Sequence, residues 1–202
     1  MSSSLNVVFV KFGTKYDHYH VNSLVHQLRP YFQKDRFVCY TDNPTSVECE
    51  CLKPLEKPTL KAWWNKLALF SEEIDLQGEC VFFDLDCKIN FDPKPFLRFT
   101  KNLVVMRDYS KEGIQFKPHA YDTHINSSMM CWRAGEQTHI WKLFLSNKDY
   151  FLRKYKGIDR FIWNEDIDID VFRDGTVNSV KNPWKEKCPV DTWDNLEFSL
   201  DD

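Results

Sequence analysis

The sequence is short of glycine, of excess positive charge and of long apolar runs, and each shortage removes a class of function. Six glycines in 202 residues do not make the Gly-rich phosphate loop expected of a nucleotidyltransferase. Lysine and arginine number 27 against 30 acids, a formal net charge of −3, so nothing in the electrostatics favours nucleic acid as a partner. The longest basic cluster, Arg153-Lys154-Tyr155-Lys156, is short and reads as a solvated helix face. No segment approaches the roughly 18 apolar residues that a membrane span needs. The opening Met1 to Val10 lacks the basic region and apolar stretch of a secretory signal. Seven cysteines are scattered with no C-x-x-C pair and no histidine spacing that would complete a structural zinc site. Cys80 and Cys131 sit in apolar runs, where a thiol behaves as a small hydrophobe. A reducing, cytoplasmic setting is the expectation.

What is present describes one folded unit. Hydrophobic residues at 43% and charged residues at 28% are ordinary for a globular chain. Aromatics at 15% are abundant, and rings serve both packing and stacking on bases or sugars. No repeat or linker divides the chain, so residues 1–202 are expected to form a single domain, with 175–202 a polar C-terminal tail whose last twenty residues do not read as core. Leu5 to Val10 is a continuous β-branched and apolar run, a buried strand. Tyr19 to Leu28 carries Val21, Leu24, Val25 and Leu28 at helical spacing and stops at Pro30. Arg36 to Thr41 is a second strand. Strand, helix, strand opens an α/β layer with a mainly parallel central sheet. A helix is expected over Thr59 to Ile74, capped by Thr59, with Leu60, Trp63, Trp64, Leu67 and Phe70 on one face. Cys80 to Phe83, Leu103 to Met106 and Ile125 to Trp132 are further strands, and helical spacing returns at Gln137 to Leu145 and around Phe161.

Asp84-Leu85-Asp86 is the informative site. Four apolar residues and then two acids at alternate positions put carboxylates at the mouth of a sheet strand, where open α/β sheets bind ligands. Paired acids call for a cation, and hard oxygen ligands suit Mg²⁺ or Mn²⁺. The same spacing is also what a solvated strand-end turn would show. The acidic stretch Asp166-Ile167-Asp168-Ile169-Asp170 repeats it without a buried run before it.

Taken together, Trp63-Trp64-Asn65-Lys66-Leu67-Ala68-Leu69-Phe70, Val81-Phe82-Phe83-Asp84-Leu85-Asp86 and Asn126-Ser127-Ser128-Met129-Met130-Cys131-Trp132 resemble the GT-A-fold glycosyltransferases, family 8-like members above all. Val10 to Tyr16 and Phe37 to Asp42 add to the likeness, which runs in order over roughly residues 5 to 173. The resemblance implies a Rossmann-like domain that binds a nucleotide-diphosphate sugar, a UDP-sugar favoured, and a glycan or small-molecule acceptor, with Mn²⁺ or Mg²⁺ as cofactor. It implies that Lys11, Gly13, Thr14 and Tyr16 hold the nucleotide, and that Lys66 lies near the diphosphate. Asp84 would contact ribose and metal, and Asp86 would be the principal metal ligand. Asn126 would pass beneath the donor sugar, where an amide both donates and accepts. Asp159 falls where relatives have an Asp-Gln pair and is the first candidate for a general base, were the enzyme inverting; the family comparison favours retention. Tyr16 and Lys66 also fit the plainer roles of a surface tyrosine and a solvated lysine. Trp63 and Trp64 read as packing residues rather than sugar platforms. Two positions depart from the family. Arg160 replaces the expected glutamine, and no histidine follows His139 to act as third metal ligand. Asp191, Asp194, His119, His124 or water stand as its replacements. A sugar-nucleotide or glycan-binding relic of the same fold is the competing expectation.

Overall fold

The computed structural model describes residues 5–108, 123–180 and 187–192. Its centre is a seven-stranded sheet of order β3-β2-β1-β4-β7-β6-β8. These strands are β1 (Leu5–Lys11), β2 (Arg36–Thr41), β3 (Glu50–Leu52), β4 (Glu79–Phe83), β6 (Leu103–Arg107), β7 (Ile125–Arg133) and β8 (Ile169–Val171). β1 pairs in parallel with β2 and β4, and β2 with β3, while β7 runs antiparallel to both β4 and β6. A second sheet, β5-β10-β9, joins β5 (Cys87–Ile89) to β9 (Val177–Ser179) and β10 (Val190–Thr192).

Alternation along the strands divides the apolar side chains between the two faces of the central sheet. Val8, Val38, Phe82, Met130 and Trp132 face one layer, built from a 3₁₀ helix (Ala62–Phe70) and helices α2 (Thr138–Ser146), α3 (Lys148–Lys154) and α4 (Ile158–Asn164). Val7, Phe9, Val81, Phe83 and Met129 face the other, covered by α1 (His18–Leu28). Asp17 caps α1 by accepting from the Tyr19 N–H at 3.0 Å, offsetting one orphan donor of the first turn.

The segment expected as a helix from Thr59 to Ile74 differs. It is a 3₁₀ helix over Ala62–Phe70, entered from an extended Lys61 with no side-chain cap, and Ala62 has φ +48°. Trp64, Leu67 and Phe70 recur every third residue, which suits three residues per turn as well as it suits an α-helix. Trp64 stacks on Phe144 at 5.5 Å and Phe70 meets Trp132 edge-on at 5.6 Å, so tertiary packing fixes the tighter form.

The C-terminal stretch also differs from expectation. Cys188, Val190 and Thr192 are buried, because β10 pairs with β5 through Thr192↔Cys87 and Val190↔Ile89. The Asn90 N–H donates to Pro189 O at 2.8 Å. This strand backs the loop that carries the two acids. Among the described residues no helix is long and apolar enough to cross a membrane.

Candidate active site

The order of the sheet reverses between β1 and β4: from β1 the chain moves outward to β2 and β3, then returns to place β4 on the other side. Such a reversal opens a crevice at the carboxyl ends of the strands. Here Asp84 leaves β4, held by its N–H donating to Ser128 O at 2.8 Å, and the Cys87 N–H donates back to Asp84 O at 3.1 Å. The tight turn sends both Asp84 and Asp86 into a cleft of about 600 Å³. Lys66, Asn126 and Asp159 line the same cleft, so five of the expected site residues converge.

Lys66 is a buried cation rather than a solvated one. Its Nζ donates to Asp84 Oδ2 at 2.6 Å and reaches Ser127 O and Oγ at 3.4 Å. It also lies 5.0 Å from the centre of the Phe82 ring. Burial opposes its charge, but Asp84 first, then Asp159 and Asp86, outweigh that, and the pKa lies above the ordinary lysine value. Asp84 feels the opposite balance. Burial and repulsion from Asp86 and Asp159 exceed the pull of Lys66 and push its carboxyl up to about 6. Asp159 is also raised, by burial first, against the pull of Lys66 and the hydrogen bond from Ser127. That bond is Ser127 N–H to Asp159 Oδ1 at 3.1 Å. Asn126 Oδ1 accepts from Ser128 N–H at 2.7 Å, which locks the bend where β7 enters the site.

The loop after β1 splits. Tyr16 lies beside the acids: its hydroxyl hydrogen-bonds to Asp86, and burial together with the charges of Asp86 and Asp84 raises its pKa. With Val10, Phe12 and Trp63 it lines a smaller chamber of about 140 Å³ that also meets Asp84 and Asp86. The structure does not bring Lys11, Gly13 and Thr14 into that chamber or the cleft. They line a neighbouring depression of about 240 Å³ that shares Tyr16. The Gly13 N–H there donates to Asp42 Oδ2 at 3.0 Å, and Lys11 is 4% exposed.

The replacements considered for a third metal ligand separate in the same way. Asp191 takes amide donors from Asn90 at 2.7 Å and Asn178 at 2.9 Å, within the small sheet, and does not line the cleft. The His124 ring packs edge-on against Trp163 at 5.2 Å and is likewise outside the cleft lining. His119 and Asp194 lie outside the described residues. Among the described residues no group of three or more His, Cys, Asp or Glu could hold a metal. The donor set still fits Mg²⁺ or Mn²⁺, since such ions bind through one or two carboxylates and take substrate phosphates and water for the rest. Lys66 pairs with Asp84 at 2.6 Å, and Asp86 brings a second hard oxygen donor to the same cleft.

Phe12, Trp63 and Arg160, to which the sequence assigns no site role, also line the cleft or its chamber. Phe12 shares the strand-exit loop with Tyr16 and packs on Tyr40 at 4.9 Å; an aromatic just past a buried strand was its only signal. Trp63, which the sequence presents as a packing residue, is 53% exposed, unlike the buried Trp64. Arg160, known only as a departure from the family pattern, lines the cleft and donates from Nη1 to Lys156 O at 2.9 Å.

A switch-point cleft behind a buried strand that ends in two acids, under a seven-stranded mixed sheet, defines the GT-A architecture of the glycosyltransferases, and the chain has that fold. The galactosyltransferase LgtC, solved with donor and acceptor sugar analogues, matches it with a TM-score of 0.66 at 9% identity, over 94% of this chain and 87% of LgtC. A glycosyltransferase involved in glycosylation of the major capsid of PBCV-1 matches with a TM-score of 0.60 at 13% identity, over 96% of this chain and 94% of its own. The glycosyltransferase GlyE of Streptococcus pneumoniae TIGR4 gives a TM-score of 0.61 at 9% identity; 86% of this chain is covered but only 47% of GlyE. No protein-family model and no curated protein matches the chain.

Proposed function

We propose that the protein transfers a sugar from a nucleotide-diphosphate donor, a UDP-sugar favoured, to the hydroxyl of a glycan or small-molecule acceptor, with retention at the anomeric carbon. The observation that carries the reading is the convergence of Asp84, Asp86, Lys66, Asn126 and Asp159 on one cleft at the sheet's switch point. Asp86 and Asp84 would hold Mn²⁺ or Mg²⁺, which when bound neutralises charge on the departing diphosphate. Lys66, fixed by Asp84 and Ser127, adds a pre-organised positive charge beside the same oxygens and needs no reorganisation as the bond breaks. Asn126 orients the donor sugar through its amide. Asp159 lines the same cleft as Lys66, with one oxygen engaged by the Ser127 N–H. There it positions the acceptor hydroxyl, and in an inverting enzyme it would take the hydroxyl proton. Residues 1–202 act as a single catalytic domain in this reading, and Lys11, Gly13 and Thr14 contact the nucleotide from the depression beside Tyr16.

A non-catalytic sugar-nucleotide binder of the same fold has one observation in its favour. Lys66 already pairs with Asp84 at 2.6 Å, so part of a cation's role is filled by the chain itself. Calorimetric titration with UDP and with GDP, in Mn²⁺ and then with chelator, tests the proposal alongside release of free nucleotide from UDP-sugars. Metal-dependent binding of one nucleotide with turnover supports the transferase. Binding without turnover selects the binder, and no binding of either nucleotide overturns both.

A further inference from the structure

Trp63 departs from the packing around it. Trp64 through Phe70 are buried, whereas Trp63 is 53% exposed and lines both the large cleft and the small aromatic chamber. Its ring is nonetheless held. Gly157, which precedes α4 with φ +107°, comes so close that a Cβ there would lie 3.2 Å from Trp63 Nε1 and 3.5 Å from Cδ1. A side chain at 157 would be strained by the backbone conformation and would crowd the indole edge. The glycine lets the loop before α4 approach that edge closely, where the ring lines the cleft. Lys156, Asp159 and Arg160 line the same cleft.

We propose that Trp63 is a stacking platform for a pyranose ring of the acceptor, held in register by Gly157. A pyranose presents an apolar C–H face surrounded by hydroxyls. A fixed indole offers a broad apolar surface at low conformational cost, and the charged groups of the α4 segment are donors and acceptors suited to the hydroxyl rim. The cleft is larger than one hexose needs, so it has room for an acceptor ring beside the transferred sugar. Assigning the ring to an acceptor rests on the transferase reading; the stacking itself rests on Trp63 and Gly157.

Saturation-transfer NMR with the methyl α- and β-glycosides of glucose and galactose tests this on the whole chain, in Mg²⁺ with and without UDP. At least one glycoside should receive saturation, concentrated on the ring C–H protons of one face. Trp63→Ala and Gly157→Val should weaken that glycoside's binding about tenfold, and Trp63→Phe should keep most of it. Thermal melts show whether Gly157→Val is folded, and Trp63→Phe against Trp63→Ala decides the matter if it is not. No transfer to the wild type, or equal transfer to Trp63→Ala, overturns the proposal. Titration of the same samples with UDP and with GDP reads the donor separately: a sugar response without binding of either nucleotide keeps the platform and removes the transferase reading.

Discussion

Along the path of β4, Cys80 to Phe83 are apolar and have no exposed surface, while Asp84 and Asp86 directly beyond them are also shielded but charged. The two stretches share a backbone course and sit next to the same β7, through Phe83↔Met129 and the Asp84–Ser128 hydrogen bond. They differ in what burial does. In the strand it removes hydrocarbon from water and stabilises the fold. In the turn it leaves carboxylates that Lys66 and Tyr16 attend, a cost retained where a ligand can offset it.

Substitutions that move one stretch and spare the other would sharpen this contrast. The largest effect is expected inside the strand: Phe82→Ala should lower unfolding free energy by about 4 kcal/mol, read by urea denaturation. Next is Lys66→Met, which strands Asp84 beside two other acids and should cost about 3 kcal/mol of stability; adding Asp84→Asn should return most of it. If the double variant is no better than the single, the Lys66–Asp84 pair is not the origin of the cost. Asp86→Ala should leave stability nearly unchanged but weaken metal-dependent UDP binding by about 100-fold, measured calorimetrically. The smallest effect is that of pH. Asp84, raised to about 6, is protonated below that value and then competes with a cation. Lowering the pH from 7 to 5 leaves about one molecule in ten ionised there, so metal affinity should fall by up to about tenfold. The sign for folding is the reverse. The folded state binds this proton more tightly than the unfolded chain does, so the Asp84 contribution makes the metal-free protein less stable as pH climbs from about 4 to 6. A urea series without metal checks that slope, and a flat profile for Asp84→Asn identifies the group.

The sheet was readable in the sequence where strands were long and apolar. Arg36 to Thr41 is β2 to the residue, and β1, β4, β6 and β7 each extend the expected runs by a residue. β3, β5, β8, β9 and β10 have three residues each, too few for any periodicity to register. Their existence depends on partners far along the chain, as in Cys87↔Thr192. Asp84 and Asp86 were legible because a buried strand runs straight into them. The sequence leaves Lys66 between two roles, since its partner lies eighteen residues away and helix spacing says nothing of what a side chain meets across a cleft. Trp63 and Trp64 look alike in sequence. Gly157 and the Phe144 stack tell them apart, and both contacts come from more than seventy residues downstream.

The pairing of β10 with β5 has a consequence for how the protein is made. Strands β1, β2 and β4 emerge from a ribosome well before β10, and the wall behind Asp84-Leu85-Asp86 waits for Val190–Thr192. A nascent chain halted near residue 180 would carry both acids without the strand that backs them. The nucleotide binding proposed for this turn should therefore be acquired only once β10 has been made, after most of the central sheet has already had time to pair.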